Sequence, residues 1–315
     1  MSALDRLPAL ATSGVGSLPF ADPGTAARHA CRAYDVPFCP QLPRHDGDMV
    51  REWLGADPGR CGWNPDRDRQ RPAAWDAFLA ALAARPPEHR VVKLQVTGPV
   101  TLAVALERAG GGIATGRACS ALAHEIAVWL AAAAAEQVER LAGAGLDALV
   151  IADEPGLAAA GLSGADVRVW APLRETGAAA WGLHVCGPVP WGVVDACELD
   201  VLSFDVTRHG VDGHGRRALR RLLGRGGRIA WGVLDPVGAT GADGAAGAAA
   251  AAVAGLGLAP ADVAARSLLT PGCGTGRLAD ARERLVASAL AAAADGTAAA
   301  LRALAQDRAA AAPPG

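Results

Sequence analysis

Lysine is almost missing from this chain of 315 residues: Lys93 stands alone among 30 basic side chains. Arginine takes the other basic positions and alanine fills the permissive ones. Runs such as Ala248–Ala252 and Ala309–Ala312 therefore read as compositional bias, a helix-compatible filler. Aromatics make up only 4%, too few for the stacking platforms that bind single-stranded nucleic acid. Neither sign of charge is in excess. With 32 acidic side chains the formal net charge is −2, which excludes the basic stripe of a nucleic-acid binder and gives no cue for an anionic membrane surface. Cysteine is sparse, odd in number and scattered, at Cys31, Cys39, Cys61, Cys119, Cys186, Cys197 and Cys273. A secreted disulfide framework is dense and even, so these are expected to be reduced thiols of a cytoplasmic protein. Long hydrophobic runs are also absent. The most apolar stretch, Ile126 to Ala135, ends at Glu136, short of the ~20 residues a spanning helix needs. The opening Met-Ser-Ala-Leu-Asp-Arg lacks the basic and then apolar order of a signal peptide.

What is present is an alternation. Short β-rich segments fall at Ala9–Val15, Val36–Pro40, Val91–Thr97, Ala148–Ala152, Ala180–Cys186, Val201–Asp205, Arg228–Leu234 and Ser267–Thr270. Between them lie Ala/Leu/Arg/Glu segments with helical spacing, among them Ala73–Ala84, Cys119–Ala142, Gly215–Leu223 and Leu278–Ala294. Apolar strands alternating with helices imply a parallel sheet covered by helices. Eight strand candidates over this length favour an α/β fold of the TIM type, a (β/α)8 barrel, over an open doubly wound sheet. The expected organisation is one catalytic barrel over residues 1–295, with a loop insertion near 43–72, then a terminal helix and tail over 296–315. The glycine-rich piece Gly238–Gly247 lacks nucleotide-binding spacing and is expected to be a flexible βα loop.

Reactive side chains cluster where these strands end: Ser17, Thr97, Asp153-Glu154, His184, Cys186, Asp205, Asp235 and Cys273. Barrel enzymes build their sites at that rim. His184-x-Cys186 is the strongest element, because positions i and i+2 of a strand face the same side. Cys273 lies in a glycine-flanked turn, and a carboxylate from Asp205 or Glu154 would complete a set of one nitrogen, two sulfurs and one oxygen. Zinc suits that mixture, whereas calcium and magnesium want oxygens. Cys31, Cys39, Cys119 and Cys197 have no polar company and read as small core hydrophobes. His209 and His214 read as surface residues, with His209 near enough to the rim to be a spare acid or ligand.

Six motifs occur in order: Gly14-Val-Gly-Ser-Leu-Pro19, Thr97-Gly-Pro-Val-Thr101, Asp153-Glu-Pro155, His184-x-Cys186, Asp200-Val-Leu-Ser-Phe-Asp205 and Pro271-Gly-Cys-Gly274. Together they resemble the catalytic C-terminal barrel of cobalamin-independent methionine synthase, in the superfamily that includes uroporphyrinogen decarboxylase. The resemblance covers about residues 10–295. It implies one zinc ion per chain that activates a thiol for methyl transfer, with His184, Cys186 and Cys273 at ligand positions and Asp205 where the family usually has glutamate. It places Val15, Gly16, Ser17 and Asp153 where the amino-acid part of homocysteine is held, and Asp153 and Asp235 among the catalytic groups.

The sequence departs from the folate-dependent pattern in three ways. Gly156–Ala160 stands where a pterin-binding glutamate would be. Pro236-Val237 follows Asp235 in place of a histidine proton donor, and no second barrel accompanies the first. A folate amine leaving group needs a proton, whereas a corrinoid leaves as cobalt(I) and needs none. The expected donor is therefore methylcobalamin, free or presented by a corrinoid protein, with homocysteine as the small-molecule thiol. The competing expectations are another zinc–thiolate alkyltransferase acting on a different thiol or an epoxide, and a non-catalytic zinc- or corrinoid-binding accessory protein.

Overall fold

The computed structural model of the chain describes residues 2–54, 71–111, 116–238 and 240–310. Its centre is a curled parallel sheet of seven strands: β1 Ala11–Thr12, β2 Val91–Thr97, β3 Asp147–Asp153, β4 Ala180–Val185, β5 Val201–Asp205, β6 Arg228–Leu234 and β7 Ser267–Pro271. The hydrogen-bonded order is β1-β7-β6-β5-β4-β3-β2. Successive parallel neighbours joined by helical crossovers put the helices on the outside of the curl.

Among the described residues the sheet has seven strands where the sequence suggested eight. Val36–Pro40 is extended but makes only an isolated bridge, Phe38 to Lys93. Pro37 and Pro40 have no N–H to donate to a ladder. On the other side Asp35 takes the Thr12 N–H with its carboxylate at 2.8 Å. Even so the stretch joins the two edge strands. Val36 N–H donates to the Thr12 carbonyl at 3.0 Å, Lys93 N–H to Pro37 at 2.8 Å, and Cys39 N–H to Lys93 at 3.1 Å. Strand β1 is short because the backbone leaves the ladder at two glycines. A Cβ on Gly14 would meet the Phe38 ring at 2.3 Å, and one on Gly16 would meet Gln95 at 2.8 Å.

Further segments differ from expectation. Residues 242–247 of the supposed flexible loop open a helix, Ala242–Gly255; alanine spacing outweighs the glycines there. The 43–72 segment holds short helices Pro43–Asp46 and Met49–Leu54, and residues 55–70, with Cys61 and Trp63, lie outside the described residues. The last helix, Asp280–Ala310, runs unbroken through residue 295. Two helices, Gly116–Gly143 and Asp280–Gln306, are long and apolar enough to cross a membrane by length and composition. The first is longer than its apolar stretch suggested, and both bury one face, Ile126, Leu130 and Leu141 in one and Val286 and Leu290 in the other.

Side chains facing the inside of the curl change character along the strands. At the N-terminal end Val91, Leu149, Ala180, Val201 and Leu268 form one cluster with Leu4 and Leu7 of the opening turn. At the other end the same alternation brings in Lys93, Gln95, Asp153, His184, Ser203, Asp205 and Thr270, all nearly inaccessible to solvent.

Candidate active site

Strand register aligns the polar end. Thr97, Asp153, His184 and Ser203 are successive Cα partners across β2 to β5. Two residues further on Asp205, Gly232 and Thr270 are partners, and Cys186, two beyond His184, rises to that level. His184 Nδ1 lies 2.8 Å from Ser203 Oγ, while its Nε2 is buried without a partner among the described residues. Burial, reinforced by the Lys93 ammonium, pushes the imidazole down to about 3. It is neutral at any working pH, with Ser203 positioned to fix which nitrogen keeps its lone pair.

Cys186 and Cys273 are 87 residues apart in sequence yet in thiol–thiol hydrogen-bond contact. The Cys186 hydrogen bond brings the Cys273 thiol down to about 6, helped by the Gly274 N–H and the Arg208 charge. Cys186 moves the opposite way, first because of that same bond and then because of burial. Asp153 is buried, and its Oδ1 has no partner among the described residues. Desolvation raises its carboxyl and Lys93 partly offsets the rise.

The other carboxylates are engaged. Asp205 caps the short helix Val206–His209: its Oδ1 accepts from the Thr207 N–H at 3.0 Å, the Thr207 hydroxyl at 2.7 Å and the Arg208 N–H at 3.0 Å. Its Oδ2 faces Gly272, where a Cβ would sit 2.4 Å away. Asp235 Oδ2 accepts from Arg208 at 2.9 Å and Oδ1 from the Val237 N–H at 3.0 Å, so the Arg208 partner holds its pKa down. Glu154, the alternative fourth ligand from spacing, is turned to a structural task. It accepts from the N–H groups of Val100 and Thr101, the Thr101 hydroxyl and the Trp170 indole, at 2.7 to 3.1 Å. His209, the spare ligand, has Nε2 on the Cys186 carbonyl at 3.1 Å.

The Val15–Ser17 loop is stitched to the Cys273 turn. Thr275 N–H donates to the Ser17 carbonyl at 3.0 Å, and Gly276 N–H to the Ser17 hydroxyl at 3.3 Å. A Cβ on Gly274 would strike that hydroxyl at 2.1 Å. Glycine is required there so that the turn can dock and bring Cys273 over the rim.

The structure thus brings together His184, Cys186, Cys273, Asp205, Asp153 and Ser17 around one mouth and separates Glu154 from them. As they stand, no three His, Cys, Asp or Glu side chains among the described residues converge closely enough to hold a metal ion. Sequence reasoning missed three participants. Ser203 carried a signal, since it lies two positions before Asp205 on the same strand face. Arg208, which pairs with Asp235, carried none. Lys93 was set aside as bias, although its being the only lysine was the signal.

No protein-family model and no curated protein matches this sequence. Among solved structures the chain is similar to a B12-independent methionine synthase from a Shewanella species, solved in complex with selenomethionine. The TM-score is 0.62 at 17% identity, over 94% of this chain and 99% of that one. It is equally similar to a methyltransferase from Methanosarcina mazei, with a TM-score of 0.62 at 17% identity over 93% of this chain and 96% of the other. At that identity the likeness is one of fold: the chain has the α/β architecture of these two enzymes along nearly its whole length.

Proposed function

We propose that the chain is a zinc-dependent thiol methyltransferase with a (β/α)8-type barrel that converts homocysteine to methionine. The observation that carries this is the meeting of Cys186 and Cys273 beside a neutral His184 whose Nε2 is buried and unpartnered. Two thiols and an imidazole are a donor set zinc takes in preference to hard cations. His184, Cys186 and Cys273 would hold the ion, with Asp205 Oδ2 as the fourth atom because Oδ1 is already committed to its helix cap. Zinc bound there would keep a substrate thiol ionised near neutral pH, where a free thiol of pKa ~8.5 is mostly protonated.

The remaining tasks fall to the chain. The buried Asp153 carboxylate beside the mouth receives the substrate ammonium, a charged partner for its unpartnered oxygen. The Val15–Ser17 loop receives the α-carboxylate. Asp235, held ionised by Arg208, has no proton to give a leaving group. That favours a donor that leaves without one; methylcobalamin would supply its methyl group to the thiolate and keep the bonding electron pair as cobalt(I). The structural neighbour described as B12-independent weighs the other way, so both donors belong in the test.

Metal analysis of the purified protein should give about one zinc per chain, and Cys273→Ala should lose it. Methyl transfer to homocysteine is then followed with methylcobalamin, where the corrinoid spectrum reports demethylation, and separately with methyltetrahydrofolate. Transfer from methylcobalamin alone is the expected result. Transfer only from the folate would overturn the donor, and a metal-free protein inactive with both would overturn the whole reading.

A further inference from the structure

The only lysine of the chain sits inside the curl of the sheet, where none of the steps above requires it. Lys93 is the third residue of β2 and is 7% exposed. Its Nζ donates to the Val15 carbonyl, lies 5.3 Å from the centre of the Phe38 ring and shares its surroundings with the Asp153 charge. A buried ammonium carries a desolvation penalty that an opposite charge and a full set of acceptors only partly repay. All other basic positions are arginine. Here the space beside Nζ is an internal cavity of about 20 Å³, lined among others by Ser13, Val15, His184 and Thr270. It suits a compact ammonium and not a planar fork with five donors.

The consequence lies in the peptide that Lys93 holds. In a trans peptide the C=O and the following N–H point in opposite directions. With the Val15 carbonyl drawn inward to Lys93, the Gly16 N–H points away from the interior. The N–H groups of Gly16 and Ser17 have no hydrogen-bond partner among the described residues. Two free N–H groups in succession, beside the Cys273 turn, are donors awaiting an anion.

We infer that Lys93 is a positioning residue: by holding the Val15 carbonyl inward it presents the Gly16 and Ser17 N–H groups to the α-carboxylate of the substrate. This rests on the amino-acid thiol reading above. Lys93 touches no reacting atom. Its effect is on recognition of one end of the substrate.

Two measurements test this. The first compares calorimetric affinity for homocysteine and for 3-aminopropane-1-thiol, which has the amine and the thiol but no carboxylate. Wild type should prefer homocysteine about tenfold or more, the worth of hydrogen bonds to a charged group, and Lys93→Met should lose that preference; a change shared by both ligands reports on Asp153, whose charge Lys93 offsets. A variant that keeps the preference, whether or not both affinities change, overturns the role of Lys93. A wild type that does not distinguish the ligands overturns the substrate reading and this inference with it.

The second measurement needs no ligand. Amide exchange at Gln41 and Thr275, whose N–H groups donate to the Gly16 and Ser17 carbonyls, should be about tenfold faster in Lys93→Met and unchanged in β3 to β6; unchanged exchange at both overturns the proposal. Should Lys93→Met fail to fold because Asp153 is left unpaired, the double variant Lys93→Met with Asp153→Asn removes both charges, and the same exchange readout applies.

Discussion

The two ends of the curled sheet are finished differently. At the N-terminal end the opening turn plugs the cylinder with Leu4 and Leu7 over Val91, Leu149 and Leu268. Most polar groups there find partners: Arg6 pairs with Asp147 and donates to the His89 carbonyl, Arg228 donates through Nη2 to the Leu7 carbonyl at 3.1 Å while its Nη1 stays buried without a partner among the described residues, and Ser267 bonds both Trp231 and Val263. At the C-terminal end Gln95 Oε1, Asp153 Oδ1, His184 Nε2 and Thr270 Oγ1 are buried without partners among the described residues. Buried polar atoms are normally satisfied, and each exception costs about 1–3 kcal/mol. One end stabilises; the other holds unused hydrogen-bonding capacity where a ligand would sit.

The largest expected effects separate the ends by kind. Cys273→Ala should reduce methyl transfer by three orders of magnitude or more and release the metal, yet leave the metal-free protein nearly as stable, since Cys273 is exposed. Leu4 is 5% exposed, and Leu4→Ala should do the reverse, a loss of about 2–4 kcal/mol in urea unfolding with kcat/KM retained. A Cys273→Ala protein that unfolds as readily as Leu4→Ala would show that the rim is part of the stabilising core.

The closed end and the strands were legible in the sequence because burial writes itself as runs such as Val91–Val96 and Ala148–Ala152. Six of the seven strands fall within a residue or two of the segments read from those runs. Val36–Pro40 misled because its apolar residues match a strand while its two prolines forbid a ladder. At the rim the ligand-type residues were visible from His184-x-Cys186 and the Gly-Cys-Gly turn. Their side-chain partners were not. That Glu154 is consumed by Val100, Thr101 and Trp170, or Asp235 by Arg208, depends on long-range packing that no spacing encodes.

Titration belongs to the open end as well. His184 has a folded pKa near 3, against ~6.5 in an unfolded chain. The unfolded state therefore binds the extra proton, and stability from this group is complete above pH ~6.5 and declines as pH falls toward 3. The metal-free protein should lose several kcal/mol across that window. His184→Gln, which cannot take up the proton, should flatten the profile, whereas a variant at the plug such as Leu4→Ala should shift the whole curve without changing its slope. A profile that keeps its slope in His184→Gln would assign the titration to another group.

The finest comparison lies within one strand. Ser267 opens β7 and Thr270 nears its end, and both are buried. Ser267 Oγ accepts from the Trp231 indole at 2.9 Å and donates to the Val263 carbonyl at 2.8 Å, so Ser267→Ala strands two partners and should cost about 1–3 kcal/mol. Thr270 Oγ1 has no partner among the described residues, so Thr270→Val replaces a desolvated hydroxyl with a methyl of the same shape and should be neutral or stabilising by up to about 1 kcal/mol. The signs differ because one hydroxyl already has its partners and the other lines the cavity beneath the mouth. If Thr270→Val destabilises as much as Ser267→Ala, an ordered water satisfies that hydroxyl, and the contrast between the two ends narrows to the side chains around Cys273.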